Sequence, residues 1–223
     1  MSKKYIDESY YFQYSLLGEI YAYGAKKVGK FNFPEIKPVN IIPDAPVLSI
    51  NYLLSCSNIE NYWFHCFCDD YQFERLWNNF YKYLPLLKKA RGIITTDFSL
   101  YRDYPNDLLI WNTYRNRVMA YAIQNVNCNT IPTATFGDEN TWSWCFDSLP
   151  QNSSVAITTN GTLKDPEAKR LFVGGVNELK KVVHPSTIIV CGRVPSWLDI
   201  KFSDTKIVHI SSYGQVWNAR RNK

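Results

Sequence analysis

The feature that most constrains this chain is the alternation, from Asn61 onward, of short apolar runs with longer helical patterns. Short and nearly continuous apolar runs are typical of strands that are buried on both faces of a sheet. Apolar residues that recur once per helical turn are typical of amphipathic helices. Strands that alternate with helices form βαβ units, whose strands are parallel. The pattern therefore predicts an α/β fold with a mainly parallel sheet built of βα units.

Six segments have the composition of buried strands. They are YWFHCFC from Tyr62, GIITTDFS from Gly92, TIPTATFG from Thr130, SSVAITTN from Ser153, STIIVCG from Ser186 and KIVHISS from Lys206. VLSINYLL, from Val47, is either an extra strand or the start of a helix. Polar residues recur at the carboxyl ends of successive strands, which favours an incomplete or distorted TIM-like barrel. An open doubly wound sheet is the alternative.

Three long helices are predicted between these strands. The first, from Tyr71 to Ala90, contains Pro85, which is expected to kink the helix or split it in two. The second follows Pro105, with Asn106 or Asp107 as its N-cap. The third has Asp165 as N-cap and Pro166 at its first position, and its Gly174-Gly175 pair is expected to mark close packing.

The first 46 residues differ from the rest of the chain. They are rich in tyrosine and lysine and are punctuated by proline, which predicts a basic arm over residues 1–46 packed on a single α/β domain over residues 47–223. The net charge is +5, and basic residues gather in this arm and at Arg220, Arg221 and Lys223. A mild positive charge of this kind is typical both of solubilising ends and of segments that contact nucleic acid.

The six cysteines of the chain lie mostly in apolar contexts. No apolar leader precedes them, so we expect a cytoplasmic protein in which all six are free thiols. Their spacing does not match a structural zinc site. No apolar run reaches the length of a transmembrane helix, so no membrane association is predicted.

Candidate catalytic residues follow from the rule that parallel α/β folds bind ligands at the carboxyl ends of their strands. We expect Asp97 to be the principal catalytic residue, followed by Glu139 and Asp138. The binding residues predicted at the same end are Asp70, Ser99, Arg102, Trp142, Trp144, Asn160 and Arg193. Carboxylates beside a cleft can perform general acid–base chemistry or hold Mg²⁺.

The stretch from Ile131 to Pro150 carries both acids and aromatic residues. Ile131 to Phe136 is expected to be a buried strand, with Asp138 or Glu139 facing the same cavity as Asp97. Of Trp142 and Trp144, one is expected to pack inward and the other to border the cleft. The null hypothesis is that the acids are exposed and that the tryptophans serve only the core.

A different interpretation rests on basic and aromatic residues. Arg115 and Arg117 lie on the second predicted helix. Arginine side chains can bind the phosphates of nucleic acid, while nearby tyrosine or tryptophan rings stack on its bases. The same residues would suit a solvated helix face. No phosphate-binding loop, no dinucleotide-binding glycine motif and no histidine-centred site is evident.

Four stretches are similar to an uncharacterised family, a domain of unknown function that occurs in bacteria on phage, plasmid and integrated elements. They are DDYQFERLWNNFYKYLPLLKKARGIITTDFSLYRDYP, NTIPTATFGDE, SSVAITTNG and HPSTIIVCG, within Val47 to Ser211. Thr96 stands where the family often has proline, before Asp-Phe-Ser. The resemblance implies a mobile-element context and brings no established activity with it.

Three functions are therefore considered. The first is a mobile-element accessory protein that binds nucleic acid or another macromolecule. The second is a hydrolase-type enzyme with an acidic pocket, which could use Mg²⁺, at the carboxyl ends of the strands. The third is an effector that binds a host protein. The oligomeric state is not predicted.

Overall fold

The computed structural model describes residues 15–127, 129–201 and 204–212. The strands are β1 Lys27–Val28, β2 Phe33–Pro34, β3 Val47–Ser49, β4 Trp63–His65, β5 Gly92–Ile94, β6 Thr130–Ile131, β7 Ser154–Thr158, β8 Thr187–Cys191 and β9 Lys206–Ile210. The helices are α1 Asp70–Asn78, α2 Phe80–Lys89, α3 Asn106–Gln124, α4 Glu139–Trp142, α5 Pro166–Val183 and α6 Ser196–Lys201. Short 3-10 turns cover Glu19–Ala22, Ile50–Tyr52 and Ile59–Asn61.

Seven of the strands are parallel and are ordered as they occur in the chain. Strands β3 to β6 form one parallel sheet and β7 to β9 form a second. A parallel bridge between Thr133 and Ala156 makes β6 and β7 neighbours. This sequential order confirms the predicted mainly parallel α/β fold and differs from a doubly wound sheet, whose order reverses at a switch point. Only the short ribbon of β1 and β2 is antiparallel within the described residues.

The interior of the sheet is filled by side chains from successive strands. Trp63, Ile94, Ile131, Ala156, Ile189 and Ile210 form one apolar cluster, together with Phe67 and Cys191. Six consecutive parallel strands thus direct side chains to a common centre, as the concave face of a curled sheet does. In the described residues no ladder joins β9 back to β3, so these strands form a curled parallel sheet without a detected closure.

Gly92 shows how tightly this interior is packed. A Cβ atom added at Gly92 would lie 2.5 Å from the ring of Trp63 on the neighbouring strand. The indole nitrogen of Trp63 donates a hydrogen bond of 3.0 Å to Asp44 at the edge of the cluster. Tryptophan is thereby accommodated in the interior, because its apolar rings are buried and its one donor is satisfied.

The helices cover the outer face of the sheet and largely follow the sequence pattern. Asp165 is the N-cap of α5, where its side chain accepts a 2.8 Å hydrogen bond from the amide of Ala168. The predicted first helix is split as expected, but the break is at Asn79, with φ −142° and ψ 43°, and not at Pro85. Pro85 lies inside α2. The N-cap of α3 is Pro105, so neither Asn106 nor Asp107 caps that helix.

The described part of the N-terminal arm contributes to the core. Phe33 and Ile36 are almost wholly buried in the same apolar cluster as Trp144 and Phe172. Gly18 lies against Trp77, where a Cβ atom would approach the ring to 2.2 Å. The arm is therefore packed on the α/β part of the chain, while the domain boundary at residues 46 and 47 stays a prediction.

Cysteines 56, 66, 68, 145 and 191 are free. Outside the described residues lie Cys128, Lys3, Lys4, Arg220, Arg221 and Lys223. No helix in the described segments is both long and apolar enough to cross a membrane.

Candidate functional site: a cleft at the carboxyl ends of the strands

A cleft of about 590 Å³ opens at the carboxyl ends of β4 to β7. Its walls are residues that follow these four strands and the first turns of α5; among them are Asp69, Asp97, Ser99, Tyr101, Arg102, Thr135, Asn160, Lys164, Asp165 and Phe172. This volume is within the usual range for pockets that hold small molecules. The location is the one that the strand order predicts, because parallel strands deliver the residues after them to one edge.

Asp97 is the central ionisable group of this cleft. It follows Thr95 and Thr96, which are fully buried at the end of β5, and it is itself partly accessible from the cleft. Burial raises the pKa of Asp97 from 3.8 to about 7, and the nearby charge of Asp70 acts in the same direction. The Thr135 hydroxyl donates a 2.5 Å hydrogen bond to Asp97 Oδ1 and opposes the rise. Near neutral pH this carboxyl can therefore both donate and accept a proton.

Asp70 supports the loop after β5 and is not among the residues that line the cleft. Its two carboxylate oxygens accept hydrogen bonds from the amide of Ser99, at 3.0 Å, and from its hydroxyl, at 2.9 Å. Asn112 donates to the carbonyl of Ser99 at 2.7 Å. The loop that carries Asp97 is thus fixed from α1 on one side and from α3 on the other.

Asn116 of α3 completes this support. Its side-chain carbonyl accepts from the amide of Phe98 at 2.8 Å, and its amide donates to the Phe98 carbonyl at 3.1 Å and to the Thr135 hydroxyl at 3.3 Å. Asn116 therefore holds the residue next to Asp97 and also the hydroxyl that contacts Asp97. Neither Asn116 nor Thr135 is predicted from the sequence as a site residue, although Thr135 follows β6 and so obeys the same rule as Asp97.

The mouth of the cleft carries basic groups. Arg102, after β5, pairs at 3.4 Å with Asp165, which precedes α5. Lys164 and the Asn160-Gly161 turn line the same side. Arg193, which follows β8, does not line this cleft but lies in an adjoining groove that also includes Asn160 and Lys164. The carboxyl of Asp97 inside the cleft is thus accompanied by cationic groups at the mouth.

Asp138 and Glu139 do not share the cavity with Asp97, and this expectation from the sequence is wrong. Asp138 is the N-cap of α4 and accepts a hydrogen bond from the amide of Asn140. Glu139 is exposed and forms an ion pair with Arg170 of α5. The chain turns away after Gly137, so these acids point toward the outer layer of helices instead of the cleft.

The two tryptophans of this stretch also differ from expectation in part. Trp144 packs inward, with an exposed fraction of 5% and an edge-to-face contact with Phe31 at 5.5 Å. Trp142 does not border the cleft; it packs on α5, where a Cβ atom at Gly174 would lie 2.3 Å from its ring. The Gly174-Gly175 pair is therefore a close-packing point, as the sequence predicts. The predicted strand is present but short, with hydrogen-bonded pairing at Thr130–Ile131 and at Thr133.

The predicted basic surface on α3 does not exist, because Arg115 and Arg117 point into the protein. Arg117 is 1% exposed and donates to the carbonyls of Thr133, Cys145 and Asp147. Burial lowers its pKa to about 10, so the guanidinium remains charged at neutral pH. Arg115 pairs with Glu74 at 2.7 Å and stacks on Phe98 at 3.6 Å. Both arginines stabilise the fold behind the cleft.

The histidine, cysteine and acidic side chains around the cleft are arranged as follows. The described residues contain no group of three or more His, Cys, Asp or Glu side chains placed to hold a metal ion. Cys68 lines the cleft, but burial raises its pKa to about 11, so it is a neutral thiol at pH 7 and a weak nucleophile. His65 is buried, and burial lowers its pKa to about 4.

Comparison with known proteins shows what this chain is similar to. The family described as "Domain of unknown function (DUF4417)" matches residues 25–213. The chain is 27% identical over 194 residues to the Gene 1 protein of Mycobacterium phage D29, covering 86% of this chain and 70% of the relative. It is 31% identical over 157 residues to the Gene 1 protein of Mycobacterium phage L5, covering 70% of this chain and 66% of the relative. No solved structure matches the chain.

Proposed function

From the premise that this chain belongs to the DUF4417 family and has phage proteins as relatives, we propose that it is a mobile-element enzyme, of hydrolase type, that performs general acid–base chemistry in the cleft. The substrate is a small molecule that enters at the carboxyl ends of β4 to β7. Asp97 accepts a proton from the attacking water and donates it to the leaving group as the bond to that group breaks, and Thr135 and Asn116 position the Asp97 carboxyl.

The observation that supports this function is the environment of Asp97. A carboxyl whose pKa is about 7 is present in both protonation states at neutral pH, which is the condition under which one group can serve as general acid and general base. Ionisable groups with raised pKa values inside clefts are characteristic of catalytic sites. Asp97 also has one hydroxyl donor in place, so its orientation is set before substrate binds.

This function is better supported than an accessory role in binding nucleic acid through α3. The arginines predicted for that role are buried or paired inside the protein, and Trp142 and Trp144 are packed against other elements. An effector of a host protein stays a prediction, because no feature of the described residues favours it specifically.

The test compares the wild-type chain with Asp97→Asn in an extract of small molecules from bacterial cells. We expect mass spectrometry to find at least one compound that the wild-type protein consumes and that Asp97→Asn consumes at least about a hundredfold more slowly, since general acid–base groups contribute factors of this size. Asp103→Asn is the matched control, because Asp103 is an exposed aspartate of the same loop that does not line the cleft.

The pH dependence of the rate provides the second readout. With the identified compound, the rate should change with an inflection near pH 7, and Asp97→Asn should abolish that inflection. Equal consumption by wild type and Asp97→Asn, or no consumption of any compound, would overturn the proposed function.

A further inference from the structure

A second groove adjoins the cleft and has a distinct electrostatic character. We call it the basic groove; it has a volume of about 340 Å³ and is lined by Thr159, Asn160, Gly161, Leu163, Lys164, Arg193 and Ser212. Two of these residues are cationic and none is acidic. A concave surface with charges of one sign attracts ligands of the opposite sign.

The two cations of the basic groove differ from several other arginines of the protein. Arg102, Arg115 and Arg170 each have a carboxylate partner. Among the described residues, no carboxylate oxygen lies within 4.0 Å of a side-chain nitrogen of Lys164 or Arg193, so neither residue forms an ion pair there. Their charges are therefore available to an anion, and no internal ion pair has to be broken when it binds.

The backbone around the groove brings Arg193 toward the Asn160 turn. Gly192 has φ +102°, and a Cβ atom there would lie 2.5 Å from Thr159 Oγ1 and 3.0 Å from Asn160 Oδ1. Only glycine permits both this backbone conformation and this close approach. The chain after β8 thus passes directly beside the residues that follow β7, and Arg193 is delivered to the same groove as Lys164.

The basic groove is continuous with the cleft that contains Asp97. Asn160, Gly161 and Lys164 line both. The cleft itself has apolar and aromatic walls suited to a flat ring, including Phe136, Phe172 and Tyr101. Tyr101 is 55% exposed and has its ring edge-to-face with Tyr104 at 5.1 Å. These two linings suit a ligand with a ring system at one end and an anionic group at the other.

We propose that the substrate of the cleft is a nucleoside phosphate, with its nucleoside in the cleft beside Asp97 and its phosphate in the basic groove between Lys164 and Arg193. This inference rests on the proposed function and adds the class of substrate to it. Lysine and arginine are the usual partners of phosphate, and aromatic walls stack on nucleobases. A free nucleotide and the phosphorylated end of a single strand share this chemistry.

The test is isothermal titration calorimetry of the full chain at pH 7. The probes are the common nucleoside 5′-monophosphates, their parent nucleosides, inorganic phosphate and a 5′-phosphorylated single-stranded oligonucleotide. We expect at least one monophosphate to bind about tenfold or more tightly than its nucleoside, because each charge-assisted hydrogen bond contributes about this factor. Comparison with the oligonucleotide distinguishes a free nucleotide from a strand end as the natural source.

The variant for this test is Lys164→Gln combined with Arg193→Gln. Both side chains are exposed, so the variant should keep the wild-type melting temperature. It should bind the monophosphate about tenfold or more weakly while its affinity for the nucleoside is unchanged, as expected when only phosphate contacts are lost. Lys169→Gln is the matched control, since Lys169 is an exposed lysine of α5 outside both cavities.

Three outcomes would overturn the inference: equal binding of nucleotide and nucleoside, wild-type affinity in the double variant, or no binding by either the monophosphates or the oligonucleotide. These outcomes are separate from those that bear on Asp97. If the chain consumed a compound without phosphate in an Asp97-dependent reaction, the proposed function would hold and the substrate class would be wrong.

Discussion

At the scale of the residue, the environment of Asp97 sets its charge and also its effect on stability. Burial favours the protonated carboxyl, while the hydrogen bond from Thr135 favours the ionised form. Burial dominates, because one hydroxyl donor replaces only part of the hydration that the carboxylate loses. Above neutral pH, where Asp97 is ionised, its burial therefore lowers the free energy of unfolding.

This balance predicts a pH-dependent stability. In the unfolded chain Asp97 ionises near its ordinary value of 3.8, and in the folded chain it ionises at about 7. Between these values the folded state binds more protons, so the contribution of Asp97 to the free energy of unfolding falls as pH rises from about 4 to about 7 and stays low above that. In Asp97→Asn this side chain does not ionise, so its contribution to the free energy of unfolding no longer falls with pH. The side-chain oxygen of asparagine can still accept a hydrogen bond from Thr135.

We expect Asp97→Asn to raise the free energy of unfolding at pH 8 by up to about 4 kcal/mol, since a pKa that moves from 3.8 to about 7 corresponds to about this difference in free energy. The gain should shrink toward zero near pH 4. Urea denaturation at several pH values measures it, with Asp103→Asn as the control. A variant that is less stable than wild type at pH 8 would show that the carboxyl is ionised in the fold without penalty.

At the scale of the element, α3 acts as an internal scaffold. Its buried residues include Asn112, Asn116 and Arg117, which together hold the loop after β5 and the segment after β6. Each of these side chains forms hydrogen bonds with backbone amide or carbonyl groups that lie outside the hydrogen-bond patterns of the strands and helices. The polar residues of α3 thereby replace missing backbone partners around the cleft.

Asn116→Ala is therefore expected to lower the free energy of unfolding by about 2 to 4 kcal/mol, because it leaves the buried amide and carbonyl of Phe98 without their partner. It should also weaken ligand binding in the cleft, since Thr135 loses a neighbour. Asn106→Ala, at the exposed start of the same helix, should stay within about 0.5 kcal/mol of wild type. Chemical denaturation of the three proteins tests the comparison; similar losses in both variants would contradict the scaffold role.

The same helix shows where prediction from the sequence ends. The strand–helix alternation predicted the parallel sheet and placed Asp97 correctly, because both depend on local patterns and on chain order. The alternation does not predict that Arg117 is buried, because the sequence pattern of polar residues on a helix is the same whether their side chains face water or buried carbonyl groups. Asp138 and Glu139 were misplaced for a related reason: the direction of the chain after Gly137 depends on the packing of Trp142 and Phe136 on α5.

At the scale of the whole molecule, the cleft depends on parts of the chain that are distant in sequence. The apolar cluster that contains Phe172 of α5, which lines the cleft, also contains Phe33 and Ile36 of the N-terminal arm. Asp147 accepts from the amide of Lys30 at 2.8 Å, which ties the arm to the segment held by Arg117. The arm therefore stabilises α5 and the segment held by Arg117, which support the cleft.

The last prediction tests whether the arm and the α/β part unfold together. Phe33 is fully buried, so Phe33→Ala should lower the free energy of unfolding by about 3 to 5 kcal/mol, the usual cost of removing a buried aromatic ring. Tyr23→Ala is the control, because Tyr23 is an aromatic residue of the same arm that is 81% exposed, and its effect should stay within about 0.5 kcal/mol.

Urea unfolding followed by both far-UV circular dichroism and tryptophan fluorescence decides between one cooperative unit and two. If the arm belongs to the core, both signals shift to the same lower midpoint in Phe33→Ala, as a two-state transition requires. A variant whose circular dichroism midpoint equals that of wild type would show instead that residues 1–46 are an attachment and that the cleft is stable without them.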